Sequence, residues 1–180
     1  MPTHIAMLRG INVSGQKIIR MEALRTSFEA MGFSRVRTYV QSGNVVFDAG
    51  KETVGNLQDK IEKQIASVFG FAVPVLLKSS TEMECIVRDN PFPKKSGIDD
   101  SKLHVTFLSK SAPEMTTEIL AALAANQEQF HINNREIYLY CPNGYGTTKL
   151  SNGTIEKKLG VIATTRNWKS VNALLAMARA

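Results

Sequence analysis

The chain has 180 residues, of which 43% are hydrophobic, 21% charged and 7% aromatic, enough for a full core and too apolar for intrinsic disorder. Twelve Gly and six Pro exclude a fibrous or low-complexity chain, and no apolar run of about 18 residues is available to form a membrane-spanning helix. The net charge of +6 is uneven: six Lys/Arg against two acids over residues 1–47, ten against thirteen over 48–148, and six against one over 149–180. Two basic ends flanking an acidic middle suit an anionic partner if the ends converge, and serve only solubility if they do not. The N-terminus lacks the basic and then apolar pattern of a secretory signal, so a cytoplasmic protein is expected.

Thr3–Leu8 reads as a strand, followed by a polar loop over Arg9–Ile19. Met21, Leu24, Phe28 and Met31 recur at helical spacing before Gly32, a C-terminal stop. Val36–Val40 and Val45–Phe47 form a hairpin around Gln41-Ser42-Gly43-Asn44. Val54, Leu57, Ile61, Ile65 and Val68 mark a second helix ending at Gly70, and Ala72–Lys78 a fourth strand. The order β-α-β-β-α-β is the split β-α-β, or ferredoxin-like, unit. Thr81 with Glu84 then suggests a capping box for a short helix that ends before Asn90-Pro91.

A second series follows. Leu103–Leu108 reads as strand, Pro113–Ala125 as helix, Gln129–Ile132 and Glu136–Cys141 as a hairpin around Asn133-Asn134, and Ser151–Leu159 as helix. Within this hairpin Ile137, Leu139 and Cys141 alternate with Tyr138 and Tyr140, giving one core side and one aromatic side. In place of a last strand the sequence suggests a terminal helix over Trp168–Ala178. The expected fold is therefore α+β, two ferredoxin-like halves with antiparallel sheets covered by helices, plus a C-terminal helix. Its expected division is residues 1–89, a linker over 90–102, and residues 103–180.

Candidate binding groups sit in loops at the ends of these elements, where a rigid sheet can position them. Arg9 offers a planar guanidinium fork and Asn12 both donors and an acceptor; the alternative is an internal ion pair and a turn cap. Gln41, Ser42 and Asn44 could face a ligand, or simply build a hairpin turn. Asn143–Lys149 is Gly-rich and presents Lys149, yet lacks the G-x-x-x-x-G-K-[ST] spacing of a triphosphate loop. Thr165-Arg166-Asn167-Trp168 is expected to open the last helix, where free N–H groups and the helix dipole favour an anion beside Arg166, Asn167 and the Trp168 ring. The competing reading makes Thr165 a cap and Trp168 a core anchor.

Cys85 and Cys141 lie far apart with no zinc-finger spacing, and His4, His104 and His131 are isolated, so no metal site or cofactor is expected and the histidines read as hydrogen-bonded structural residues. No G-x-S-x-G, H-E-x-x-H or Cys–His pattern identifies catalytic residues.

Leu8-Arg9-Gly10-Ile11-Asn12-Val13, Thr38–Phe47 with its Gln-Ser-Gly-Asn turn, Asn90-Pro91-Phe92, and Ala163–Trp168 with Val171 resemble, in order, the signature segments of the bacterial domain-of-unknown-function family 1697. Lys169-Ser170 stands where Asn-Thr is usual and Ser14 where Gly is usual. The resemblance implies a small cytoplasmic protein with two ferredoxin-like halves and no established reaction. Three functions remain open: binding of an anionic small molecule or nucleic acid such as RNA in one basic cleft shared by the motifs, an enzyme acting on a small anionic metabolite held by Arg9 and Arg166, or a structural and interaction module.

Overall fold

In the computed structural model, which describes residues 1–180, the chain forms two four-stranded antiparallel sheets and six α-helices. They divide into two compact units, Met1–Glu84 with Ala173–Ala180, and Cys85–Asn172.

The first unit runs β1 (Thr3–Leu8), α1 (Met21–Ala30), β2 (Ser34–Tyr39), β3 (Asn44–Asp48), α2 (Val54–Phe69) and β4 (Val75–Ser79), leading into α3 (Ser80–Arg88). Its strand order is β2-β3-β1-β4, the antiparallel sheet of a split β-α-β unit. Ala6 and Leu8 on β1 join Val45 and Phe47 on β3 beneath Leu24 and Phe28 of α1 and Leu57, Ile61 and Ile65 of α2. Phe28, Phe33 and Phe47 meet at ring-centroid distances of 4.6–5.9 Å, an aromatic cluster at the centre of this core. Ile5, Met7, Val46 and Leu76, which alternation directs to the opposite face, are buried as well, beside the buried polar residues Asn44, Asp48 and Lys78 of the same face.

Local chemistry sets the ends of these elements. Thr53 caps α2 by accepting from the Asn56 amide at 3.2 Å, and Gly70 closes it at φ +81°. α3 begins immediately after β4, and its capping box lies two residues earlier than expected. Ser79 Oγ accepts from the Glu82 amide at 3.1 Å while Glu82 Oε2 accepts from the Ser79 amide at 2.7 Å. Thr81 and Glu84 share the spacing, but both already lie inside the helix because the strand reaches Ser79.

The second unit repeats the plan: β5 (Leu103–Leu108), α4 (Thr116–Leu123), β6 (Gln129–Asn133), β7 (Glu136–Tyr140), α5 (Asn152–Leu159) and β8 (Ala163–Asn167), leading into α6 (Trp168–Arg179), with strand order β6-β7-β5-β8. The helix expected from Pro113 starts at Thr116, whose amide and hydroxyl both donate to the Pro113 carbonyl in a preceding turn. A larger correction concerns Ala163–Asn167. These residues form a strand antiparallel to β5, pairing Val105 with Arg166 and His104 with Asn167, so the second unit has its full set of four strands. The α6 cap is accordingly Asn167, whose Oδ1 accepts from the Ser170 amide at 2.8 Å, and not Thr165.

The aromatic side expected for β7 is a buried side. Tyr138 is fully enclosed and its hydroxyl donates to the Ile86 carbonyl at 2.7 Å. Burial and the nearby Glu136 charge push its phenol up to about 12.

Candidate ligand-binding site

In the first unit the loop over residues 9–19 and the β2–β3 turn lock together. Asn12 Nδ2 donates to the carbonyls of Ile19 at 2.9 Å and Gln41 at 2.8 Å, while its Oδ1 accepts from the Ile19 amide at 2.8 Å. Gly43 sits beneath Ile11, and a Cβ there would fall 2.6 Å from Ile11 Cδ1 with φ already at +87°. Only glycine fits that crossing. Asn44 is buried and donates to the Tyr39 carbonyl at 2.9 Å and to Ser42 Oγ at 3.1 Å. The amides of Asn12 and Asn44 are thus used in shaping the loop pair. Ser42 and Gln41 lie exposed on its rim, and Arg9, half-buried, donates its backbone amide to the Pro74 carbonyl at 2.9 Å. Lys17 closes the far end of the loop, its Nζ donating to the Ala72 carbonyl at 2.8 Å.

In the second unit strand alternation separates residues that the sequence places side by side. Arg166 is 6% exposed on the face shared with Val105 and Tyr138, and donates to Thr164 Oγ1 at 2.7 Å and the Thr165 carbonyl at 3.0 Å. Thr165 and Asn167 point to the other face. There Thr165 Oγ1 meets Thr106 Oγ1 at 2.7 Å and donates to Asn152 Oδ1 at 2.6 Å, a polar chain between β5, β8 and α5. Lys149 is exposed on the segment between the 3-10 turn at Tyr145–Thr147 and α5.

At the end of that second face a cavity of about 370 Å³ opens at the start of α6, lined by Asp100, Ser101, His104, Asn167, Trp168 and Lys169. Asn167 and Trp168 are the two expected site residues that it brings together; Arg166 is not in its lining. The Ser170 amide is already taken by Asn167 Oδ1, while helix geometry leaves those of Trp168 and Lys169 without intrahelical acceptors. Asp100 and Ser101 come from a 3-10 turn, Asp100–Lys102, capped by Asp99, which accepts from both the Ser101 amide and hydroxyl. His104 was not legible as a site residue, since its only signal is the register that pairs it with Asn167, far along the chain. Its ring stacks on Tyr145 at 4.9 Å and 24°. Its Nδ1 is enclosed without a hydrogen bond. Burial holds its pKa below the ordinary value; Lys102 acts both ways, its backbone raising the pKa and its charge lowering it. The imidazole is therefore neutral near pH 7.

No group of three or more His, Cys, Asp or Glu side chains is arranged to hold a metal ion, and both cysteines are free. No helix is long and apolar enough to cross a membrane.

The fold and these sites describe an α+β protein built from two ferredoxin-like units, with signature loops at the strand ends. The chain belongs to the family described as protein of unknown function DUF1697, whose model matches residues 1–138. Among solved structures it is similar to the conserved bacterial protein SP0830 from Streptococcus pneumoniae, with a TM-score of 0.71, 20% identity and 98% of each chain covered. No curated protein matches the chain.

Proposed function

We propose that this protein binds a small anionic ligand, phosphate-bearing in the first instance, in the cavity at the start of α6. The observation that carries the reading is a space of about 370 Å³ lined by Asn167, Trp168 and the exposed Lys169 at the start of a twelve-residue helix, within the usual size range of small-molecule sites. His104, neutral near pH 7, can donate or accept a hydrogen bond within the same space. Trp168, 9% exposed and the only tryptophan, forms part of the wall and serves as the reporter.

Titrating Trp168 fluorescence with inorganic phosphate is expected to give a saturable change, weakened at least tenfold by Lys169→Ala. A flat response to phosphate overturns the reading. A response confined to a short single-stranded RNA, falling steeply and log-linearly with salt, replaces it with nucleic-acid binding.

A further inference from the structure

We infer that this protein self-associates through the free edge of its second sheet, with β6 pairing antiparallel to β6 of a second copy about a twofold axis at His131. Of the eight strands, β6 alone has no buried residue: Gln129, His131 and Asn133 are exposed, and Phe130 and Ile132 are half-buried against the core of their unit. Its counterpart in the first unit, β2, is guarded. There the register shifts between Ser34 and Arg37, Arg35 sits at φ +49°, and its guanidinium is held by Asp48 and the Ala180 carbonyl. Bulges and charged side chains are common means of closing a sheet edge to another strand. β6 has neither, since its pairing with β7 is continuous and it contains no Lys, Arg, Asp or Glu.

The backbone sets the register. Asn133 and Glu136 pair across the Asn134-Arg135 turn, so Gln129, His131 and Asn133 direct their backbone groups to β7, while Phe130 and Ile132 direct theirs outward, where nothing in the chain bonds them. A twofold axis at His131 sets Phe130 against Ile132 of the second copy, exchanging both backbone hydrogen bonds, with His131 opposite His131. Moving the axis one residue either way sets Ile132 against Glu128 or Phe130 against Asn134. The Glu128 amide already donates to the Ala125 carbonyl at 3.0 Å, and the Asn134 carbonyl already accepts from the Ala112 amide at 2.8 Å. Charge favours the same register. Glu128 precedes the strand and the exposed Arg135 follows it, so antiparallel pairing brings Glu128 of each copy beside Arg135 of the other. Phe130 and Ile132, which with Ile119 and Leu123 of α4 form the half-covered margin of this core, then meet their copies on one face of a continuous sheet.

Sedimentation velocity of the full chain over increasing concentration is expected to show a reversible monomer–dimer equilibrium. His131→Lys and His131→Glu change an exposed side chain, and each is expected to weaken association at least tenfold by setting like charges opposite one another. An equimolar mixture of the two is expected to recover it as a mixed dimer. A monomer at every concentration overturns the inference and leaves the edge to an extended segment of another protein. A dimer that neither substitution weakens overturns it as well. Should either variant unfold, Gln129→Cys mixed with Asn133→Cys decides: oxidation is expected to cross-link the mixture far more than either variant alone, and equal cross-linking or none overturns the inference.

Discussion

A histidine set into the buried part of a strand must find hydrogen-bond partners or give up its charge. His4 is 6% exposed on β1, its ring 5.7 Å from that of Phe47, and neither nitrogen has a partner. The sequence reading of a hydrogen-bonded structural histidine does not hold here. Burial lowers its pKa, and the charges of Glu82 and Asp48 offset this only in part. In the unfolded chain the group protonates first, near pH 6.5. Its contribution to stability is therefore complete above that pH and declines as pH falls toward the lower folded value. The His104 shift has the same direction and adds to the effect. The urea midpoint is expected to be lower at pH 5.5 than at pH 7.5, and His4→Leu to shrink the difference. An unchanged difference in that variant would assign the acid sensitivity elsewhere. Asn12 and Asn44 teach a related lesson: composition shows how many hydrogen bonds an amide can make, while only the chain path shows that these two are spent on neighbouring carbonyls.

Among the elements, periodicity was a good guide wherever an apolar stripe existed. β1, α1, α2, β5 and α5 fall within a residue or two of their expected spans because most of their buried positions are Leu, Ile, Val and Phe. β8 was missed because its buried positions are Ala163, Thr164 and Arg166, with Thr165 held by hydroxyl and amide partners. A strand stabilised through polar pairs carries no hydrophobic alternation to read. The interlock of the 9–19 loop with the β2–β3 turn was equally invisible, since its two halves are separate in sequence and meet through one side chain. Asn12→Ala removes three hydrogen bonds there and is expected to cost about 2–4 kcal/mol in urea unfolding. Faster amide exchange in the β2–β3 turn should accompany the loss, and a change below ~1 kcal/mol would show that the interlock contributes little.

The whole molecule is a repeat of seven elements, and the repeat extends to single hydrogen bonds. In the first unit Glu62 on α2 accepts from the Val75 amide, the first of β4, at 2.9 Å. In the second, Glu156 on α5 accepts from the Ala163 amide, the first of β8, at 3.1 Å. Each fourth strand then passes without a loop into a helix capped by its last residue, Ser79 or Asn167. The sequence showed the two halves as similar in pattern, but missing β8 concealed that they are equal in extent. The first unit also includes Ala173–Ala180, where Arg179 pairs with Glu84 at 2.9 Å and Arg35 bonds both Asp48 and the Ala180 carbonyl. Removing residues 173–180 is expected to accelerate hydrogen exchange in β1–β4 more than in β5–β8. The reverse pattern would dissociate this segment from the first unit.

That discontinuity has a bearing on how the protein is made. A ribosome releases Met1–Glu84 first, then all of Cys85–Asn172, and only afterwards the eight residues that complete the first unit. At ordinary elongation rates the delay is roughly 5–20 s, long compared with the folding time of a small domain. The unit begun first is thus finished after the second, and in the interval its nascent form is one helical segment short.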